Sequence, residues 1–133
     1  MRYMLDTNIC IYVIKHKPES VLRELKKLDP EDVCISSITY AELAYGVEKS
    51  AQTERNRLAL AMMLSCIGIV AFDDAAAAEY GEIRASLEKG GTPIGSMGML
   101  IAAHARSSGC TLVTNNTKEF CRVKGLKVVN WVK

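Results

Sequence analysis

No apolar run in this 133-residue chain approaches the roughly 20 residues that a bilayer-crossing helix needs, so no membrane span is expected. Arg2 is followed by neither a long apolar core nor a small-residue cleavage site, so no secretory leader is expected and the cytoplasm is the default compartment. The five cysteines (10, 34, 66, 110 and 121) are odd in number and never spaced Cys-x-x-Cys, which argues against a disulfide framework and against a zinc site. Cys10, Cys34, Cys66 and Cys110 lie in or beside apolar segments and read as small core residues. Neither sign of charge dominates. A net charge of +2 neither requires nor excludes nucleic acid, so any phosphate-binding surface has to be a local patch. The Gly90–Gly95 stretch lacks the Gly-Lys-Ser/Thr ending of a P-loop, and no Gly-x-Ser-x-Gly elbow occurs. Of the two histidines, His16 sits in a charged Lys15-His16-Lys17 run and His104 sits mid-helix among alanines with no partner in view. Neither has a metal-ligand spacing.

What is present describes an ordinary globular chain. Hydrophobic residues make up 49% and charged residues 24%, too apolar for disorder and enough for a core without staples. Residues 1–133 are expected to form a single domain. Tyr3–Leu5 reads as a first short strand, with Thr7 or Asn8 capping a helix to about Lys15. Pro18 fits the first turn of a second helix, in which Val21, Leu22, Leu25 and Leu28 share one face. Val33–Ser36 is a buried strand, followed by a helix from Ser37 to about Lys49 and another from Glu54 to about Cys66. Strand three is expected at Ile69–Ala71, then a long helix capped by Asp73 or Asp74 and running to about Lys89. After the glycine loop come a helix from about Met97 to Arg106, strand four at Thr111–Val113, a single helical turn from Thr117 to Cys121, and a fifth strand at Lys127–Val129. Short apolar strands alternating with helices imply βαβ units: an α/β fold, a three-layer α/β/α sandwich around a mostly parallel sheet of about five strands.

Asp6 ends the first strand, the place where open α/β sheets keep their chemistry. Taken alone it also reads as a helix cap, although Thr7 or Asn8 can do that job. Glu42 lies in the helix after strand two; Thr39-x-x-Glu42 also matches a capping box, in which the glutamate reaches back to the cap's own N–H. Asn116 and Glu119 follow strand four and read separately as a turn residue and a surface acid. Together they place three acids from three segments at one edge of the expected sheet. Converging carboxylates repel unless a cation lies between them, and hard oxygen ligands select Mg²⁺ or Mn²⁺. Lys118, Arg122, Lys124, Lys127 and Lys133 make the C-terminal stretch basic, either a solvated face or a guide for a phosphate backbone.

Met4-Leu5-Asp6-Thr7-Asn8, the run Ile35 to Gly46, Ile101-Ala102-Ala103-His104-Ala105 and the run Leu112 to Phe120 resemble the VapC toxins of the PIN-domain ribonucleases, four blocks in the right order from the first strand to the last. The resemblance implies a PIN-like fold and a Mg²⁺- or Mn²⁺-dependent endoribonuclease, the toxin of a type II toxin–antitoxin pair. It further implies cleavage of structured RNA such as tRNA, silencing by a VapB-type antitoxin, and a homodimer. By the family's motifs Asp6 is a metal ligand, Glu42 and Glu119 are further acids of the cluster, Asn116 lines the site, and Thr114 holds Asp6 by a hydrogen bond. The chain departs from the family at Gly98, where the resemblance calls for an aspartate that is a principal metal ligand. Glycine in the first turn of a helix is unfavourable by up to about 1 kcal/mol relative to alanine and offers no ligand. The expectation is a chain that folds and engages an antitoxin but binds Mg²⁺ poorly and cleaves RNA weakly or not at all.

Two other classes stand beside this one. A degenerate toxin could act only as an antitoxin- or RNA-binding partner, which the glycine favours and the remaining acids disfavour. A phosphatase of the haloacid-dehalogenase type would use Asp6 as nucleophile, but such enzymes carry a second aspartate two residues on, where this chain has Asn8.

Overall fold

The computed structural model describes residues 2–133. Its strands are β1 (Tyr3–Leu5), β2 (Val33–Ser36), β3 (Gly68–Val70), β4 (Thr111–Val113) and β5 (Val128–Val129). The helices are α1 (Thr7–Lys15), α2 (Glu19–Lys26), α3 (Ser37–Glu48), α4 (Thr53–Leu64), α5 (Asp74–Lys89), α6 (Ser96–Ser107) and α7 (Thr117–Phe120), with a 3₁₀ turn at Pro30–Asp32. All strand pairs are parallel, in the order β3-β2-β1-β4-β5, so β1 is central. Met4 sits opposite Cys34 on one side and Leu112 on the other, while Leu5 pairs with Val113.

Successive residues of a strand face opposite sides of a sheet, and this alternation divides the core in two. Met4, Cys34 and Leu112 pack with Ile83 and Leu87 of α5, Met99 and Ile101 of α6, and Phe120 of α7. Leu5, Ile35 and Val113 pack against Ile9 and Val13 of α1, Val21 of α2, Leu43 of α3, Leu60 and Met63 of α4, and Trp131. Each of these large side chains withdrawn from water contributes about 1.5–3 kcal/mol before conformational entropy is set against it. The result is the three-layer α/β/α sandwich that the alternating pattern implies.

Helix boundaries fall within a residue or two of the expected ones, but several caps differ. Asp6, not Thr7 or Asn8, is the N-cap of α1: its extended backbone lets Oδ1 accept from the Ile9 N–H at 2.9 Å. Thr39 and Glu42 form no capping box. Ser36 caps α3, its hydroxyl accepting from the Ile38 N–H at 3.1 Å, so Thr39 lies inside the first turn of the helix. Pro18 precedes α2 as its cap residue rather than sitting in its first turn, and of the two aspartates Asp73 caps α5. Cys66 is exposed, not core: it lies just past the end of α4, and the buried positions there are taken by Met63 and Ile67. Cys10, Cys34 and Cys110 are buried. Among the described residues no helix is long and apolar enough to cross a membrane.

Candidate active site

The carboxyl ends of β1 and β4 lie side by side, and the Asp6 N–H extends their ladder by donating to Val113 O at 3.0 Å. Asp6 therefore leaves the sheet at its centre with backbone and side chain both fixed. Ser36 launches α3 from the neighbouring strand, which carries Glu42 over the same end of the sheet. Beyond β4, the Thr114 hydroxyl accepts from the Asn116 N–H at 2.9 Å and so shapes the turn into α7, where Glu119 lies. The first turn of α6 closes the remaining side with Gly98.

These segments meet in an open pocket of about 250 Å³ whose lining includes Asp6, Glu42, Gly98, Asn116 and Glu119, with Thr7 and Asn8 between them. Asp6 is buried, and burial is the largest influence on its carboxyl, pushing its pKa above the usual 3.8. The charge of Glu42 pushes the same way, while hydrogen bonds from the Thr114 side chain and the Ile9 N–H oppose the rise. No cation stands among the influences on it. Glu42 accepts a short hydrogen bond from the Thr7 hydroxyl, and Glu119 accepts one from the Asn116 side-chain amide. Carboxylates with no ion-pair partner among the described residues, one of them desolvated, are the donor chemistry of a hard divalent cation. In kind the set fits; in arrangement it falls short. Among the described residues no three Asp, Glu, His or Cys side chains come close enough together to hold an ion.

Gly98 lines the same pocket. A Cβ built there meets Phe120 Cζ at 3.4 Å and Ile94 Cδ1 at 3.8 Å, ordinary van der Waals distances, and its φ is not in the left-handed region. Neither backbone conformation nor crowding calls for glycine at this position.

The structure also supplies a group that sequence reading passed over. His104, buried on α6, has its Nδ1 2.7 Å from the Ser36 hydroxyl and its ring edge-on to Phe72 at 5.4 Å between centroids. Its partner is separated from it by 68 residues along the chain, which no local spacing reveals. In the first turn of α3, the Thr39 hydroxyl is buried with no hydrogen-bond partner among the described residues.

The PIN domain family model matches residues 3–126. The chain is 50% identical over 131 residues to the tRNA(fMet)-specific endonuclease VapC of Shigella flexneri, covering 98% of each. It is 48% identical over 132 residues to the ribonuclease VapC2 of Haemophilus influenzae, covering 99% of each. Among solved structures, that of VapBC2 from Rickettsia felis bound to a promoter DNA fragment superposes with a TM-score of 0.92 at 45% identity, covering 98% of this chain and 99% of that one. VapBC-1 from nontypeable Haemophilus influenzae superposes with a TM-score of 0.91 at 36% identity over the full length of both. A five-stranded parallel sheet with Asp6 at the end of its central strand, and relatives matched from end to end, place this chain in the PIN domain family, among the VapC ribonucleases.

Proposed function

We infer that this chain is the toxin of a type II toxin–antitoxin pair, built to cut structured RNA such as tRNA and weakened in doing so by Gly98. The observation that carries this reading is the pocket itself. Asp6, Glu42, Asn116 and Glu119 line it, and the α6 residue facing them has no side chain. The matched relatives named as ribonucleases, one of them specific for tRNA(fMet), support an RNA substrate. The solved VapBC assemblies support a VapB-type antitoxin as partner.

The chemistry is hydrolysis of a phosphodiester: a water oxygen attacks phosphorus and gives its proton to a base, the bond to a ribose oxygen breaks, and that oxygen leaves as a hydroxyl by taking a proton from solvent. Asp6 and Glu42 offer the carboxylate oxygens that can orient that water and take its proton. The Asn116 amide steers Glu119 and the Thr7 hydroxyl steers Glu42. Mg²⁺ or Mn²⁺ would suit the oxygen donors, but the residues as they stand do not gather three acids around one point, so this chain is expected to hold such an ion poorly.

The test is Gly98→Asp, assayed on total RNA with and without Mg²⁺ and with cleavage ends mapped. Removing a group that merely orients a metal ligand lowers metal affinity or activity by about 10–100-fold, so restoring a direct ligand should raise Mg²⁺-dependent cleavage by at least about 100-fold. EDTA should abolish the gain. Equal cleavage before and after the substitution would overturn the reading. A second reading, a partner that binds antitoxin or RNA without cutting, is favoured by the missing acid trio; it would stand if the revertant cut RNA, the parent cut none, and both bound equally well.

A further inference from the structure

A cleft of about 650 Å³, larger than the acid-lined pocket, lies at the other end of α1. Lys15, His16 and Lys17 form one wall and Arg55 of α4 stands in the other, with Gln52 and Asn56 beside it. The side chains of Lys15, Lys17 and Arg55 are exposed, no carboxylate lines the cleft, and Arg55 is held by donating to Gln52 Oε1 at 3.0 Å. Arg57, two residues on, is by contrast matched to an acid, Glu48, at 2.7 Å.

The cleft is linked to the acidic pocket through a groove that borders both. It shares Ile14, Lys15 and Asn56 with a groove of about 300 Å³ between α1, α3 and α4, and that groove shares Thr7 and Glu42 with the acid-lined pocket. Helix α1 thus borders all three, with Asp6 at its N-terminus and Lys15 to Lys17 at its C-terminus. Nine residues at about 1.5 Å each span roughly 13 Å, close to four nucleotides of a stacked strand at about 3.4 Å apiece.

We propose that the Lys15–Lys17–Arg55 cleft grips the phosphate backbone of the RNA substrate about four nucleotides from the bond placed at Asp6 and Glu42. The proposal rests on the reading of the acidic pocket as an RNA-cutting site and adds where the strand is held. Charge complementarity selects the occupant: three cations with no acid among them offer a polyanion point charges at its phosphates, and give no readout of bases. The C-terminal basic stretch is the competing candidate, but the structure scatters it. Lys133 lies 3.6 Å from Glu24, Arg122 donates to Pro93 O, and Lys124 lines a different cavity together with Glu82.

The experiment measures binding of a fluorescently labelled tRNA transcript in EDTA, where nothing is cut, across a salt titration. It compares the parent, K15A/K17A/R55A and K118A/K124A/K127A, all exposed positions, with thermal melting confirming that each is folded. Lys17→Glu alone serves as a second variant in the cleft. The cleft triple is expected to weaken binding about tenfold or more at low salt and to flatten the plot of log K against log salt by about 0.7 for each phosphate no longer neutralised. Lys17→Glu should move both in the same direction, and the C-terminal triple should leave the slope near the parent's. Unchanged affinity and slope in the cleft variants overturn the proposal, as does a larger loss of affinity in the C-terminal triple. So does retained RNA binding with lost binding of a polyglutamate peptide, which would make the cleft a seat for an acidic protein segment. A parent that binds no RNA overturns both this proposal and the reading beneath it, whereas a revertant at position 98 that fails to cut while RNA binding depends on the cleft sinks only the catalytic reading.

Discussion

Asp6 concentrates the tension in the molecule into one side chain. It serves as the cap of α1 and stands, largely desolvated, beside Glu42. Because its folded pKa lies above the unfolded 3.8, the folded state holds the proton more tightly. Stability contributed by the protonated form is therefore complete below pH 3.8 and is lost as pH rises through the folded pKa. At neutral pH the ionised carboxylate is a net burden on the fold. Asn caps a helix about as well as Asp, so Asp6→Asn keeps the cap and removes the charge. Urea unfolding should show Asp6→Asn more stable than the parent at pH 7, with the gap closing toward about pH 4. Asp6→Ala, which also forfeits the cap, should fall about 1 kcal/mol below Asp6→Asn. A gap between parent and Asp6→Asn that ignores pH would contradict the burial argument. The chain's first acid was legible both as a site candidate at a strand end and as one of three cap candidates, but which of the three caps α1 was not, because cap identity turns on a shift of one residue that spacing cannot resolve.

At the scale of elements, the start of α3 and the middle of α6 are tied together by Ser36 and His104. The Ser36 hydroxyl accepts from the Ile38 N–H, and donating its own proton to His104 Nδ1 satisfies both partners. Burial pushes the His104 pKa below the usual 6.5, partly offset by the charge of Asp73. A base with a depressed folded pKa contributes stability that is complete above pH 6.5 and is lost as pH falls from there toward the folded value. Thermal melts between about pH 7.5 and about pH 5.5 should show that loss, and His104→Gln should flatten it; an unaltered slope would exclude His104 as its source. Ser36→Ala removes the cap of α3 and leaves Nδ1 without its partner, a combined loss of about 2 kcal/mol by urea unfolding. The strands, helices and turn residues of this chain were readable because their signals are local: alternation, periodicity, a proline, a glycine. The Ser36–His104 link and the seating of Glu42 against Thr7 join residues 68 and 35 apart, and the capping-box pattern at Thr39 pointed to the wrong partner for Glu42. The order of the strands was hidden for the same reason, since crossover handedness fixes the direction of each connection but not how far along the sheet it returns.

Over the whole molecule, the central sheet separates two bodies of packed side chains that touch different helices. Ile83 of α5 belongs to the face covered by α5 and α6; Ile9 of α1 belongs to the face covered by α1 to α4. Both are buried to within a few per cent, so trimming a methylene from either leaves a small void in a close-packed interior. Ile83→Val and Ile9→Val should each destabilise by about 0.5–1.5 kcal/mol. With the sheet between them the two sites share no neighbours, and their effects should add to within about 0.5 kcal/mol in the double variant. The acidic pocket, however, is built from both faces: Asp6 and Glu42 ride on elements of one, Gly98 and Glu119 on elements of the other. A double-mutant cycle by urea unfolding, repeated in the Gly98→Asp background with Mg²⁺, separates the two situations. Additivity should hold in the parent. An ion gripped from both faces stabilises only the fully folded state, and should raise the unfolding midpoint of all four proteins together, in proportion to the logarithm of free Mg²⁺ once the ion exceeds its dissociation constant. Coupling well above about 0.5 kcal/mol in the parent would mean that the two faces sense each other through the strands.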